Sequence, residues 1–312
     1  MGYKRILITG SGGFVGKNLI RGLAGDYEMD GIDLPGNHSE GLSNFYNWSD
    51  LGNLPVYDFV IHLAGKAHDL GNTSKFQTYF DINLGLTQKI FDWFIASGSG
   101  KFIFFSSVKA VADTVNSDTL TEDVLPGPKT PYGKSKLAAE NYILDHKLSS
   151  DRFVYILRPC MIHGLGNKGN LNLLYNYLSK GLPYPLGSFE NLRSFLSVSN
   201  LTWVIAEIIQ GRVTPGIYNL ADDEPVSTNE LIKLIAEVNK KKPRIWNVPA
   251  VFINNFAKAG DALHLPFNSE RLKKLTESYI VSNVKLKNAL KVKNLPVSTR
   301  NGLIQTFEYL AK

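Results

Sequence analysis

Tyr132 and Lys136 stand four residues apart in TPYGKSKLAAEN (130–141), a spacing that sets both side chains on one face of a helix while Lys134 points elsewhere. Thr130 is a good N-cap and Pro131 suits the first helical position, so the helix is predicted to begin there with Tyr132 in its first turn. The chemistry such a pair permits is proton abstraction. A free phenol has a pKa near ~10, so about one molecule in a thousand is ionised at neutral pH. A lysine charge about 5 Å away, at an effective dielectric of about 20, favours the anion by roughly 3 kcal/mol, or about two pKa units. The phenol then becomes a usable base. The same spacing also suits a plain amphipathic surface helix, so the choice falls to other segments.

TGSGGFVGKNLI follows the first apolar run and leads into a helical pattern, with Gly10, Gly13 and Gly16 at three-residue spacing and Phe14 and Val15 between the last two. Small residues there allow a tight turn and bring backbone N–H groups and a helix N-terminus against a pyrophosphate. Asp33, about twenty residues on, stands where a carboxylate accepts hydrogen bonds from an adenosine ribose and repels a 2′-phosphate. The expected cofactor is therefore NAD rather than NADP, with a turn residue as the other reading of Asp33. Asp50 is placed either to contact the adenine or simply at the surface.

These residues need a scaffold. RILITG, EMDGIDL, FVIHLAG, KFIFFSS and FVYILRP read as strands separated mostly by helical segments. Their continuous apolarity implies burial on both faces, hence a parallel sheet covered by helices: a doubly wound α/β domain of the Rossmann type. After Pro159 the chain becomes rich in Gly, Asn and Pro, then RSFLSV and GIYNLA suggest a return to the sheet. VSTNELIKLIAEV opens with a capping box, Ser227 to Glu230, and begins a mostly helical C-terminal part. The expected division is residues 1–163 with a return segment near 192–222 for the dinucleotide, and 164–191 with 223–312 as a smaller substrate-binding domain.

With 312 residues, 44% hydrophobic and 20% charged, the chain is long enough for a sizeable core and is not disordered. MGYKRILITG shows no apolar leader and no later run is long enough to span a bilayer, so the expectation is a cytoplasmic protein with no membrane segment and no membrane partner. The single cysteine, Cys160, excludes an internal disulfide and, being one thiol, a zinc or thiol-redox site; no metal is expected. The net charge of +6 comes from scattered basic residues apart from NKKKPR (239–244), read as a solvated helix end; no nucleic-acid role is expected.

TGSGGFVG, the FFSS strand and YGKSK together resemble the extended short-chain dehydrogenase/reductase family, specifically the NAD-dependent nucleotide-sugar epimerases and dehydratases. The resemblance runs over nearly the whole chain. It implies that Ser107 completes the catalytic set with Tyr132 and Lys136, with Ser106 the nearest rival. It assigns Leu63, Ala64, Gly65 and Lys66 to the loop passing the cofactor, and adds Asn83 and Pro159 to the cofactor site. His62 and His68 then need no catalytic role. On the substrate side it points to Arg193 for a nucleotide diphosphate, to Asn170 at the head of a nucleotide-contacting helix, and to Arg271 closing from the C-terminal part. Relatives commonly form homodimers.

Departures from the family pattern narrow the reaction. Dehydratases carry Asp-Glu directly after the catalytic Ser or Thr; here Val108-Lys109 follow, so 4,6-dehydration lacks its acid and base. Lys109 also replaces the cysteine of the epimerase-reductases, and His163 reads as a packed or substrate-lining residue. Met161 stands where the family places an asparagine, putting common UDP-glucose or UDP-galactose handling in doubt. The expectation is a 4-epimerase of a UDP-linked hexose or N-acetylhexosamine working through a 4-keto intermediate. The alternative is a UDP-4-keto-6-deoxyhexosamine reductase. A non-catalytic NAD(H)-sensing protein ranks below both, because Ser107, Tyr132 and Lys136 all stand.

Overall fold

The computed structural model describes residues 3–67, 76–115, 118–167, 169–263, 265 and 267–312; His68 lies outside the described residues. The chain begins β1 (Arg5–Thr9), α1 (Phe14–Leu23), β2 (Glu28–Asp33), β3 (Asn44–Asn47) and β4 (Phe59–His62). There follow α2 (Phe76–Tyr79), a π turn (Phe80–Leu84), α3 (Gly85–Ser97), β5 (Lys101–Phe105), α4 (Pro131–Leu144), β6 (Phe153–Pro159), β7 (Met161–His163) and α5 (Asn170–Ser179). Next come β8 (Leu192–Arg193), β9 (Phe195–Ser197), α6 (Val198–Ile209), β10 (Gly216–Leu220) and β11 (Val226–Ser227). The chain closes with α7 (Thr228–Val238), α8 (Ala250–Ala262), α9 (Ser269–Thr276), α10 (Val284–Leu290) and α11 (Thr299–Leu310).

Seven strands form one sheet in the order β10-β6-β5-β4-β1-β2-β3, every pair parallel. Period-two alternation distributes the continuous apolar strands to both faces. Ile6 and Ile8 of β1 pack with Leu201, Val204, Ile205 and Ile208 of α6, whereas Leu7 packs with Ile90, Phe91 and Phe94 of α3 and Ile143 of α4. The strand order reverses between β1 and β4, and their carboxyl ends deliver Gly10 and Leu63 to the crevice such a reversal opens.

Two sequence expectations change. NFYN (44–47) adds an edge strand that its asparagines and half-buried pattern conceal. Of the two returning segments only GIYNL joins the main sheet, as β10 beside β6. RSFLSV cannot, because β10 already occupies that edge; it divides into β8, paired with β11, and β9, paired with β7. The backbone around β8 is spent on the C-terminal lobe, with Ser194 N–H donating to Tyr279 O at 3.0 Å and Tyr279 N–H to Leu192 O at 2.8 Å. That lobe has its own core, where Leu171 and Tyr175 of α5, Leu234 and Ile235 of α7 and Leu303 and Phe307 of α11 meet. Among the described residues no helix is long and apolar enough to cross a membrane.

Candidate active site

The head of α4 is fixed before any ligand arrives. Thr130 caps it by accepting from Gly133 N–H at 3.2 Å, and the Asp113 carboxylate accepts from Thr130 N–H at 3.1 Å and Thr130 Oγ1 at 2.7 Å. A Cβ at Gly133 would meet Lys109 O at 2.3 Å, so glycine lets the first turn of α4 lie directly on the loop that follows β5. That close approach brings Tyr132 to Ser107, near enough for the serine hydroxyl to favour the ionised phenol. Ser107 Oγ also accepts from Lys109 N–H at 3.2 Å. Ser106 instead donates to Glu140.

Lys136 is 6% exposed and donates from Nζ to Phe105 O at 2.8 Å. Burial pulls its pKa down to about 8, with the Glu140 carboxylate opposing the fall, so the ammonium is still mostly protonated at neutral pH. Burial pushes the Tyr132 phenol above its ordinary value, the Ser107 hydroxyl opposing and Tyr79 adding to the rise. The downward shift expected from the lysine is not what acts on the phenol in the chain alone: loss of hydration dominates, and the lysine Nζ is directed at the Phe105 carbonyl.

Beneath the site lies a polar network that sequence reading missed. Glu140 is 1% exposed and pairs with Arg158, 3% exposed, through Nε–Oε1 at 3.0 Å and Nη2–Oε2 at 2.5 Å. Its position four residues after Lys136 is the available signal; Arg158 lies on β6 and offers none. His62 sits in a second buried chain, with Nδ1 2.6 Å from Thr9 Oγ1 and Nε2 3.0 Å from Thr87 Oγ1, whose hydroxyl donates to Asn83 O at 2.6 Å. Burial and the Lys136 charge hold this imidazole well below its usual range, which makes it a neutral core histidine.

The glycine turn has the shape its spacing implies. Gly10 adopts φ +72°, and a Cβ there would stand 2.8 Å from Ala64 N; at Gly16 it would stand 2.5 Å from Gly10 O. Gly13 caps α1 without a side-chain hydrogen bond, and Phe14 and Val15 begin the helix. Asp33, at the end of β2, accepts from Gly12 N–H at 2.8 Å and Leu34 N–H at 2.7 Å, so its carboxylate already braces the turn. Asn83 Oδ1 accepts from Lys66 N–H at 2.7 Å while its Nδ2 donates to Ser135 Oγ at 2.9 Å, tying the 63–66 loop to α4. A Cβ at Gly65 would meet Asn83 Oδ1 at 2.9 Å and Lys136 Nζ at 3.3 Å. Leu63 N–H bonds Thr9 O at 3.1 Å, and Pro159 ends β6 in a buried position. The Asp50 carboxylate accepts from Asn47 N–H at 2.8 Å within a capping box and from Ser49 Oγ at 3.2 Å, local roles that engage both of its oxygens.

On the substrate side the structure brings Arg193 toward the reactive loop. Lys109 Nζ lies 4.1 Å from the Tyr279 ring centre and donates to Asp113 O at 2.7 Å, and Tyr279 bridges to Arg193 through the backbone. Arg193 itself donates to the carbonyls of Glu277, at 3.3 Å, and Lys274. Burial lowers the pKa of both cations, and the Arg193 charge adds to the fall at Lys109. Asn170 opens α5 and Arg271 lies in the first turn of α9; both are exposed. His163 is fully buried, 2.8 Å from Thr306 Oγ1 and 3.6 Å from Asp222, so it packs rather than lines a pocket.

A family model described as the NAD dependent epimerase/dehydratase family matches residues 6–221. The chain belongs to that family. It is an enzyme of the extended short-chain dehydrogenase/reductase type and its cofactor is NAD. UDP-glucose 4-epimerase of Vibrio cholerae is 32% identical over 262 residues, covering 79% of this chain and 78% of that protein. N-acetyl-alpha-D-glucosaminyl-diphospho-ditrans,octacis-undecaprenol 4-epimerase of Escherichia coli O157:H7 is 26% identical, covering 97% and 94%. Among solved structures, UDP-N-acetylglucosamine 4-epimerase from Bacillus cereus shares the fold with TM-score 0.77 at 18% identity, covering 99% of this chain and all of that one (100%). The glycine turn fits a family cofactor: Gly10 and Gly16 let it pack tightly against the 63–66 loop and on itself at the head of α1, and Asp33 stands beside it.

Proposed function

We propose that the chain is an NAD-dependent 4-epimerase of UDP-linked hexoses or N-acetylhexosamines, working through a 4-keto sugar. The observation that carries this reading is the Ser107 hydroxyl acting on the Tyr132 phenol on a helix that also buries a lysine cation, with no carboxylate in the two positions after Ser107. Bound NAD supplies the hydride acceptor and donor. Tyr132 takes the proton of the C4 hydroxyl and returns it to the same oxygen on the other face of the sugar. Ser107 Oγ holds that oxygen as charge develops, steadied by the Lys109 N–H. Lys136 supplies the positive charge that a phenol raised by burial needs before it can ionise. Val108 and Lys109 offer no acid–base pair for elimination of water, so the sugar keeps its C6 oxygen.

In this reading Gly10, Gly13, Phe14, Val15, Gly16, Asp33, Asp50, the 63–66 loop, Asn83 and Pro159 hold the cofactor, and Arg193, Asn170 and Arg271 hold the diphosphate side of the substrate. Residues 1–163 with 192–222 form the NAD part, and 164–191 with 223–312 the sugar-nucleotide part. The protein works in the cytoplasm as a homodimer, which light scattering of the eluting species tests. A second reading, a polyprenyl diphosphate carrier in place of UDP, rests on the name of the Escherichia coli relative, which matches 97% of this chain at 26% identity.

The decisive experiment incubates the purified protein with UDP-N-acetylglucosamine and no added cofactor, following the anomeric protons by NMR. Appearance of the galacto isomer is the expected result. If no UDP-hexose or polyprenyl-diphosphate hexose changes without a stoichiometric reductant, the epimerase reading fails.

A further inference from the structure

α8 buries one face and leaves another uncovered. Ala257 and Gly260 are buried and Ile253 packs with Tyr184, Leu186, Ile232, Leu272 and Phe267. The remaining apolar side chains point outward: Val251 and Phe252 are each 68% exposed, Phe256 61% and Leu263 68%. Phe252, Phe256 and Leu263 recur at helical spacing, and Trp246, 58% exposed, lies just before the helix. Single exposed apolar residues are ordinary, but this group is contiguous along one helix and its approach, and it includes three aromatic side chains.

The same stretch carries concentrated positive charge. Between Lys240 and Thr276 there are eight Lys or Arg and two Asp or Glu, a balance of +6 that equals the net charge of the whole chain. Lys258 falls two turns after Val251 at the edge of the apolar strip, and with Lys273 of α9 it lines a shallow depression between the two helices. Lys240, Lys241, Lys242 and Arg244 are exposed on the approach to α8, with Lys241 and Arg244 donating to the carbonyls of Ser179 and Gly181, so the cations nearest the apolar strip are Lys258 and Lys273. Outward aromatic and aliphatic side chains flanked by cations match the interface of an anionic bilayer, where the rings enter the headgroup boundary and the ammonium groups meet lipid phosphate. α9 also joins this face to the proposed diphosphate site, since Arg193 donates to its Lys274 carbonyl.

We propose that the α8–α9 face is a membrane-docking surface that holds the enzyme reversibly on anionic phospholipid, whatever the carrier of its sugar. This contact lies on the surface and spans nothing, so it departs from the sequence expectation of no membrane partner while leaving the absence of a spanning helix among the described residues as it stands. The test sediments the full-length protein with vesicles of equal parts phosphatidylcholine and phosphatidylglycerol, and with vesicles of phosphatidylcholine alone. The expected result is binding to the first that weakens with salt, and that falls at least about tenfold in F252S/F256S. K258Q and K273Q should each lose on the order of fivefold. Both kinds of variant should keep wild-type turnover of soluble UDP-sugar, which separates this proposal from the epimerase reading. Equal binding by wild type and F252S/F256S, or no binding by wild type, overturns the proposal. So does a drop in oligomeric state in F252S/F256S on light scattering, which would assign the face to a second copy of the chain.

Discussion

Replacing Lys136 by methionine should remove activity and yet relieve the fold of a cost at neutral pH. The folded ammonium has a pKa of about 8 against an ordinary 10.5, a gap worth about 3 kcal/mol when both states are protonated. Because the unfolded chain binds more protons than the folded one between these values, wild-type stability rises with pH through this window. Below pH 8 the full cost is present; above 10.5 it has gone. The Lys136→Met side chain does not titrate and carries no such cost. It does strand the Phe105 carbonyl that Nζ now reaches at 2.8 Å, a loss of about 1–3 kcal/mol that does not vary with pH. The variant should therefore match or exceed wild type at pH 7 and fall below it at pH 10.5, the gap moving by about 3 kcal/mol. For 312 residues the unfolding entropy is about 0.65 kcal/mol/K, so the relative Tm should move by about 5 °C. Calorimetry of both proteins across that range measures it. A difference in Tm that stays constant with pH would refute a buried, charged Lys136.

Tyr132→Phe should keep bound NAD and the wild-type melting curve while turnover drops by about 10²–10⁴, and unchanged turnover would remove Tyr132 as the base. Glu140→Ala leaves Arg158 buried without its partner and should cost about 3–5 kcal/mol, lowering Tm by about 5–8 °C; a shift under about 1 °C would show that the pair is solvated. Gly10→Ala places a Cβ 2.8 Å from Ala64 N at φ +72°, so NAD binding by calorimetric titration should be lost while the sheet still melts cooperatively. Retention of full NAD affinity in that variant would show that the turn does not need glycine.

Local patterns are the legible part of this chain. The Tyr132–Lys136 face, the Thr130 cap, the glycine turn and Asp33 each depend on spacing within one element or across one turn, and the structure keeps all of them. Continuous apolar strands reveal the parallel sheet for the same reason. What escapes are pairings across sequence: Glu140 with Arg158, Thr9 with His62, and the Asp113 carboxylate on the head of α4. β3 escapes because Asn44 and Asn47 give a strand no apolar signature, and RSFLSV cannot be placed from its pattern because edge occupancy is a property of the assembled sheet. The outward face of α8 is hidden by its composition, since a helix rich in Phe and Val reads as core until its neighbours are known.

The direction of the phenol shift bears on how the site works. Spacing alone predicts that the lysine prepares the base by itself, but in the chain alone burial is the largest influence on Tyr132 and holds it protonated. Burial also works against the lysine, and the Glu140 carboxylate is what opposes its neutralisation. Glu140 in turn is fully engaged, accepting from Arg158 and Ser106, neither of which is hydrogen-bonded to the Tyr132 hydroxyl. The positive charge beside the reacting oxygen thus rests on an ion pair one helical turn beneath it. This explains why a 1% exposed glutamate belongs in a helix whose opposite end carries the chemistry: without it, Lys136 would drift toward the neutral amine and the phenol would lose the cation that its ionisation requires.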